Sequence, residues 1–263
     1  MFEKILGRNY KYWYLACNAF KSATSYRVSN MAWLGSRVLT LLITIYIWKL
    51  TSEAGSNLIG FGEIFTYYII GGIFSINNNI HYNISQAIKN GSFTVRLLRP
   101  FPVWLDAIIV DFGWQSFTLL VETVFLIILG IFGFKFLIFS SFFNLFLALF
   151  AFLIGVFIRI YINLIVGMGA FFTTEIFGLI DMLSTVTWFF SGKAIPLRLV
   201  SNFLSFTPFA FIYFLPMEIY FGKFTLNNVF WVYGGGIFAL IILHIITTII
   251  WKAGLKRNEA IGL

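Results

Sequence analysis

The sequence predicts an all-α polytopic membrane protein: six transmembrane helices, an N-terminal amphipathic interfacial helix, and a re-entrant helical segment before the last span. Three observations predict it. Of the 263 residues, 60% are hydrophobic and only 11% charged, with a mean hydropathy of +0.90, where soluble domains carry about 25% charged residues. Apolar runs approaching the ~20 residues that a bilayer crossing needs recur along the chain. Of the 18 lysines and arginines, eleven fall in stretches that a six-span layout leaves inside, five outside, and two, Arg37 and Arg159, within spans. That inside excess predicts cytoplasmic termini and an even number of crossings. The net charge of +8 therefore reads as membrane topology and not as a nucleic-acid footprint, so the expected surroundings are a lipid bilayer and no nucleic acid.

Taken in order, residues 1–29 form the interfacial helix. Phe2, Ile5, Leu6, Trp13, Ala16, Cys17 and Phe20 recur at helical spacing, while Lys4, Arg8, Lys11 and Lys21 lie off that stripe and suit an anionic leaflet. Residues 30–263 form the six-span domain. The first span covers 31–48, with Arg37 near enough to the inner end to snorkel. The second covers 64–80, where Gly71-Gly72 permits close helix approach and Asn77-Asn78-Asn79 with His81 marks the exit.

Residues 84–100 carry two arginines, a glycine and a proline between apolar runs, a combination too costly to bury in lipid. They read as two short cytoplasmic elements. Ile84, Ala87 and Ile88 form one face, Gly91 stops the first element, and Ser92 caps the second. Residues 101–115, with Asp106 and Asp111, then climb back along the interface to a third span over 114–132. An outer turn falls within 133–141, and the fourth span runs to about residue 172 as one tilted or protruding helix containing Arg159. Residues 175–190 make the fifth span. The segment 194–222, broken at Pro208 and Pro216, has apolar pieces too short to cross and reads as re-entrant; the sixth span covers 229–251.

The chain lacks the residues for catalysis. Gly192-Lys193 and Gly222-Lys223 miss both the upstream glycine and the following hydroxyl of a phosphate-binding loop. With Cys17, His81 and His244 as the only cysteine and histidines, no metal or nucleophile constellation is expected, and His244 reads as a packing residue. Charge inside spans is more informative, because it needs a partner or a wet cavity. In an antiparallel hairpin Glu122 and Arg159 lie at equal depth, since their midpoint falls between Ser140 and Ser141. Two arrangements follow: an intramembrane Glu122–Arg159 pair, or Arg159 snorkelling inward with Glu122 alone on the pathway or against a neighbouring subunit. Glu175 and Asp181 either cap the fifth helix or meet a cationic substrate, for which the many aromatic rings would also be suited.

Four patches in this order carry a family resemblance. They are Ile88-Lys89-Asn90-Gly91-Ser92-Phe93 with Leu97-Leu98-Arg99-Pro100, then Phe190-Ser191-Gly192-Lys193-Ala194-Ile195-Pro196-Leu197, then Thr207-Pro208-Phe209, and finally Pro216-Met217-Glu218-Ile219-Tyr220-Phe221-Gly222. Over nearly its whole length the chain resembles the type 2 ABC exporter permeases, closest to the branch of viologen and drug exporters. The resemblance implies a permease in the bacterial cytoplasmic membrane that pairs with a second permease, itself or a paralogue, and with a cytosolic ABC ATPase dimer. ATP and magnesium would be bound by that ATPase, with no cofactor in this chain. It also implies that Ile84, Ile88, Lys89, Gly91, Phe93, Arg96, Leu97, Arg99 and Pro100 couple to the ATPase, and that Gly192, Lys193, Pro196, Pro208, Phe209, Pro216 and Gly222 belong to an external gate. The competing classes are a proton-coupled transporter with Glu122, Glu175 and Asp181 as a relay, and a non-transporting membrane or immunity subunit. The chain shows no evident inverted repeat of the kind that would favour the first.

Overall fold

A computed structural model of the protein describes residues 10–53, 59–75, 78–99, 102–173 and 176–261, and among these all regular secondary structure is helical. Four helices are long and apolar enough to cross a membrane: α2 (Arg27–Glu53), α6 (Val103–Phe132), α7 (Phe142–Met168, continued by a 3-10 turn to Phe171) and the last helix, whose apolar part runs Leu226–Arg257. The expected second and fifth spans are shorter. Phe61–Phe74 (α3) and Phe177–Phe190 (α8) have 14 residues each, about 21 Å of straight helix against a hydrocarbon core of about 30 Å. The expected run to residue 80 is cut because Ser75 turns extended at the end of α3 and a separate helix, α4 (Ile80–Lys89), begins.

At the N-terminal side, α1 (Tyr10–Ser25) lies along α6. Its buried face is made of small residues, Ala19 and Ala23, whereas Trp13 of the expected apolar stripe is exposed. Ala16 and Ala19 fit against Gly113 of α6, where a Cβ would come within 2.5 Å of the Ala16 carbonyl oxygen. Phe2, Ile5, Leu6, Lys4 and Arg8 lie outside the described residues.

After α4 the chain turns at Gly91 (φ 69°, left-handed) into the short α5 (Ser92–Leu97). Ser92 does not cap α5: it is the first helical residue, and its hydroxyl donates back to the Ala87 carbonyl at 3.4 Å. Residues 103–115 are not a separate interfacial piece. They are the first turns of α6, whose 30 residues make about 45 Å of helix, longer than the hydrocarbon core. α7 is started by Ser141, whose Oγ accepts from the Asn144 N–H at 3.2 Å.

Between α8 and the last helix the chain forms 3-10 turns at Leu197–Leu199, Asn202–Phe206 and Pro208–Ile212, then the buried α9 (Phe214–Tyr220). The last helix, α10 (Leu226–Ile261), closes the fold against α7. Gly71 and Gly72 admit side chains here, not a neighbouring helix backbone: Cβ atoms at these positions would meet the Tyr213 ring at 2.6 Å and Leu126 at 2.9 Å.

Candidate functional site

Three places in this fold hold the charge and irregular backbone that function needs in a membrane protein. The first is the α4–α5 corner. Ile80, Ile84, Ala87 and Phe93 are buried in a cluster with Ala107 of α6 and Met168 of α7, while Ile88 is partly buried. Phe93 is fully buried, edge-on to Phe171 (centroids 5.0 Å apart) at the end of α7 and to Trp251 (5.7 Å) of α10. Arg99 and Arg96 converge on one carboxylate of α6: Arg99 Nη1 lies 3.1 Å and Arg96 Nη1 3.6 Å from the oxygens of Asp106, which is 1% exposed. Burial pushes the Arg96 guanidinium down from its ordinary pKa, and Asp106 pulls it back. Gly91, Val95 and Leu98 stand outward, Leu98 being 84% exposed. A firmly seated corner thus presents an apolar tip.

The second place is a cavity of about 430 Å³ between α2, α3, α4, α6, α7 and α8. Arg37, Glu122, Arg159, Lys193, His81 and Asn163 reach it, with Trp33, Phe125, Leu126 and Trp188 among its apolar walls. Arg37 Nη1 lies 3.3 Å from Glu122 Oε2. Glu122 is therefore paired, but with Arg37 of α2 and not with Arg159 as depth matching on the hairpin suggested. The buried Nε of Arg159 has no hydrogen-bond partner among the described residues. At one margin of the cavity, Asn163 joins α7 to the start of α4. Its Oδ1 lies 3.1 Å from His81 Nδ1 and its Nδ2 donates to the Asn78 carbonyl at 3.1 Å. Asp111, which the sequence reading placed on an interfacial segment, is buried and accepts the Asn79 N–H at 3.1 Å on each oxygen.

The third place is the segment after α8, at the opposite end of α7 from α4. Tyr67 and Tyr68 donate to the carbonyls of Gly192 (2.7 Å) and Ala194 (3.0 Å), and Tyr213 donates to the Tyr67 carbonyl (3.1 Å). Gly192 (φ 82°) and Gly222 (φ 68°) take the left-handed turns that start and end the segment. Pro208 opens its 3-10 turn, Phe209 packs on Phe190, and Pro216 sits early in α9 where its missing N–H costs little. Four charges close this end. Arg198 bridges Glu63 at 2.6 Å and Glu218 at 3.5 Å, and Lys223 contacts the same two carboxylates. Burial raises the Glu218 carboxyl to about 7 against the pull of Arg198, with Glu63 adding to the rise.

A family model described as ABC-2 family transporter protein matches residues 38–262. The chain belongs to that family. Comparison with curated proteins and with solved structures gives no match. Membership makes this ABC-2 family chain a membrane-spanning transporter protein, consistent with a permease subunit.

Within the ABC-2 chain, the residues singled out in the sequence divide by place. Ile84, Ile88, Lys89, Gly91, Phe93, Arg96, Leu97 and Arg99 share the α4–α5 corner, though Phe93 and the two arginines face inward and Lys89, Val95 and Leu98 outward. Pro100 and Glu175 lie outside the described residues. Asp181 is exposed on α8 and does not line the cavity. Lys193, grouped with the outer segment, instead reaches the cavity that holds Glu122 and Arg159. Pro196 is buried beside the Arg198 cluster. His244 is exposed, with the Tyr161 hydroxyl 3.2 Å from its Nδ1. The sequence reading missed Asp106 as the anchor of the two arginines and Arg37 as the partner of Glu122. An acid seven residues after Arg99 was a usable signal for the first; nothing local signalled the second.

Proposed function

We propose that this chain is the permease subunit of an ATP-driven exporter in a bacterial cytoplasmic membrane, with both termini cytoplasmic. It works with a separate cytosolic ABC ATPase dimer and a second permease, either itself or a paralogue. The α4–α5 corner is the docking element for the ATPase, the segment 194–222 is the external gate, and the polar cavity between them lies on the substrate path. ABC-2 family membership supports association with an ABC ATPase and a membrane. The single observation that carries the docking assignment is the tip of α5. Val95 and Leu98, 61% and 84% exposed, project from a corner whose other face is locked to α6 and α7. An apolar projection on a charged, non-spanning segment suits a protein partner better than water.

Arg96 and Arg99 are less clean probes of coupling than their exposure in a loop suggested, because both hold Asp106. Leu98 is 84% exposed, so Leu98→Glu tests docking without touching the internal ion pairs. Affinity purification of the tagged wild-type chain should bring down an ABC ATPase. Leu98→Glu should lower its recovery by about tenfold or more, with unchanged insertion and melting temperature. A wild-type chain that purifies without any ATPase would sink the reading.

A further inference from the structure

Among the described residues, the lining of the cavity carries an excess of positive charge. Three of its lining side chains are cationic, Arg37, Arg159 and Lys193, against the single carboxylate of Glu122. Glu122 is already taken by Arg37 at 3.3 Å. Asp111 also acts on Arg159, but it does not line the cavity, and both its oxygens accept the Asn79 N–H at 3.1 Å. Among the described residues, Arg159 and Lys193 make no ion pair; Arg159 Nε is buried without a partner, and Lys193 Nζ lies 5.9 Å from the Tyr213 ring centre. Cations placed inside a membrane domain without a partner carry a cost that a counter-ion removes. Arg159 lines the cavity, and a guanidinium matches the two oxygens of a phosphate or carboxylate. The remaining wall, including Trp33, Trp188, Phe125 and Leu126, is apolar, and about 430 Å³ is room for more than a bare anion.

We propose that this cavity binds an anionic amphiphile. Arg159 and Lys193 hold its acidic headgroup, and the tryptophan-lined wall takes its apolar body. The inference rests on the permease reading and names its substrate class: an acid with an apolar tail, in place of the cationic substrate that the carboxylates and aromatic rings suggested.

The test uses the purified full-length chain in phosphatidylcholine nanodiscs, with radiolabelled dodecyl phosphate as probe and empty nanodiscs as background. Saturable binding is expected. Arg159→Gln and Lys193→Gln should each weaken it about tenfold or more, as loss of one charge-assisted contact does, whereas Arg159→Lys should retain most of it. Lys252→Gln, at an exposed position on α10, should leave it unchanged. Lys193 lies outside the helices, so Lys193→Gln carries the test if Arg159→Gln fails to fold. The proposal is overturned if dodecyltrimethylammonium binds as tightly as dodecyl phosphate, if inorganic phosphate competes as well as dodecyl phosphate, or if folded Lys193→Gln binds like wild type. None of these measurements involves an ATPase. A chain that binds the probe through Arg159 and Lys193 yet recruits no ATPase would overturn the permease reading alone. Recruitment of an ATPase without probe binding would overturn the site alone.

Discussion

Asp106 illustrates how one carboxylate sets the consequences of two arginines. It is 1% exposed, whereas Arg96 and Arg99 are 22% and 41% exposed. Replacing both arginines by alanine strands a buried charge, a cost of about 3 kcal/mol or more. Asp106→Asn instead keeps a hydrogen-bond acceptor beside two guanidiniums that are themselves partly exposed, a cost of about 1 kcal/mol. Unfolding of the detergent-solubilised variants should therefore place Arg96→Ala/Arg99→Ala well below Asp106→Asn. The reverse order would mean that the arginines, and not the acid, are the buried partners. Glu218 gives a second residue-scale expectation. Its carboxyl, raised by burial to about 7, holds a proton in the folded chain that an unfolded chain has already released. Stability should fall as pH rises from the ordinary carboxylate range through about 7. Glu218→Gln removes that proton and should flatten the decline. Melting temperatures recorded from about pH 5 to pH 8 check this, and parallel curves for the two proteins would assign the slope to another group. At this scale the sequence revealed that Glu122 and Arg159 are charges in spans, but not their surroundings. Depth matching compares spans adjacent in the chain, and Arg37 comes from α2, far earlier in sequence.

At the scale of elements, apolarity located the helices well and their ends poorly. The four long helices and the descent of α7 to residue 171 follow from uninterrupted hydropathy. The ends of α3 at Phe74 and the start of α8 at Phe177 do not, because Ile76 and Ile176 are as apolar as their neighbours and hydropathy does not register where a backbone ladder stops. The run from Val103 was divided at Asp106 and Asp111 on the assumption that carboxylates face water; both are instead buried by specific donors. Glycines separate packing from tolerance at this scale. A Cβ on Gly155 of α7 would lie 2.1 Å from the Phe211 carbonyl oxygen, so Gly155→Ala must push the 3-10 turn off the helix. It should cost about 1–3 kcal/mol. Gly35 of α2 has nothing within 4 Å of the same position, and Gly35→Ala should be neutral or stabilising by up to about 1 kcal/mol. Comparing the two melting temperatures with wild type checks both, and equal losses would point to a general intolerance of alanine in these helices.

For the whole molecule, the family and the helical membrane architecture were legible in four short patches and the composition, and the family model over residues 38–262 agrees. The cavity was not. Its lining runs from Trp33 to Tyr213 through six helices and the segment after α8, and no local pattern announces a surface assembled from such distant parts. Its charge balance became readable only when Lys193 came to lie with Arg159.

The helix pair α7 and α10 is held by a phenylalanine at two levels. Phe93 wedges against Phe171, just past the end of α7, and Trp251 of α10; near the middle of α7 the Phe211 backbone lies on Gly155 and its ring on Gly236 of α10. The two grips are separated by roughly 24 Å of continuous helix. The pair therefore behaves as a stiff strut held at two levels, and spreading it at Phe93 must either bend a helix or be felt at Phe211.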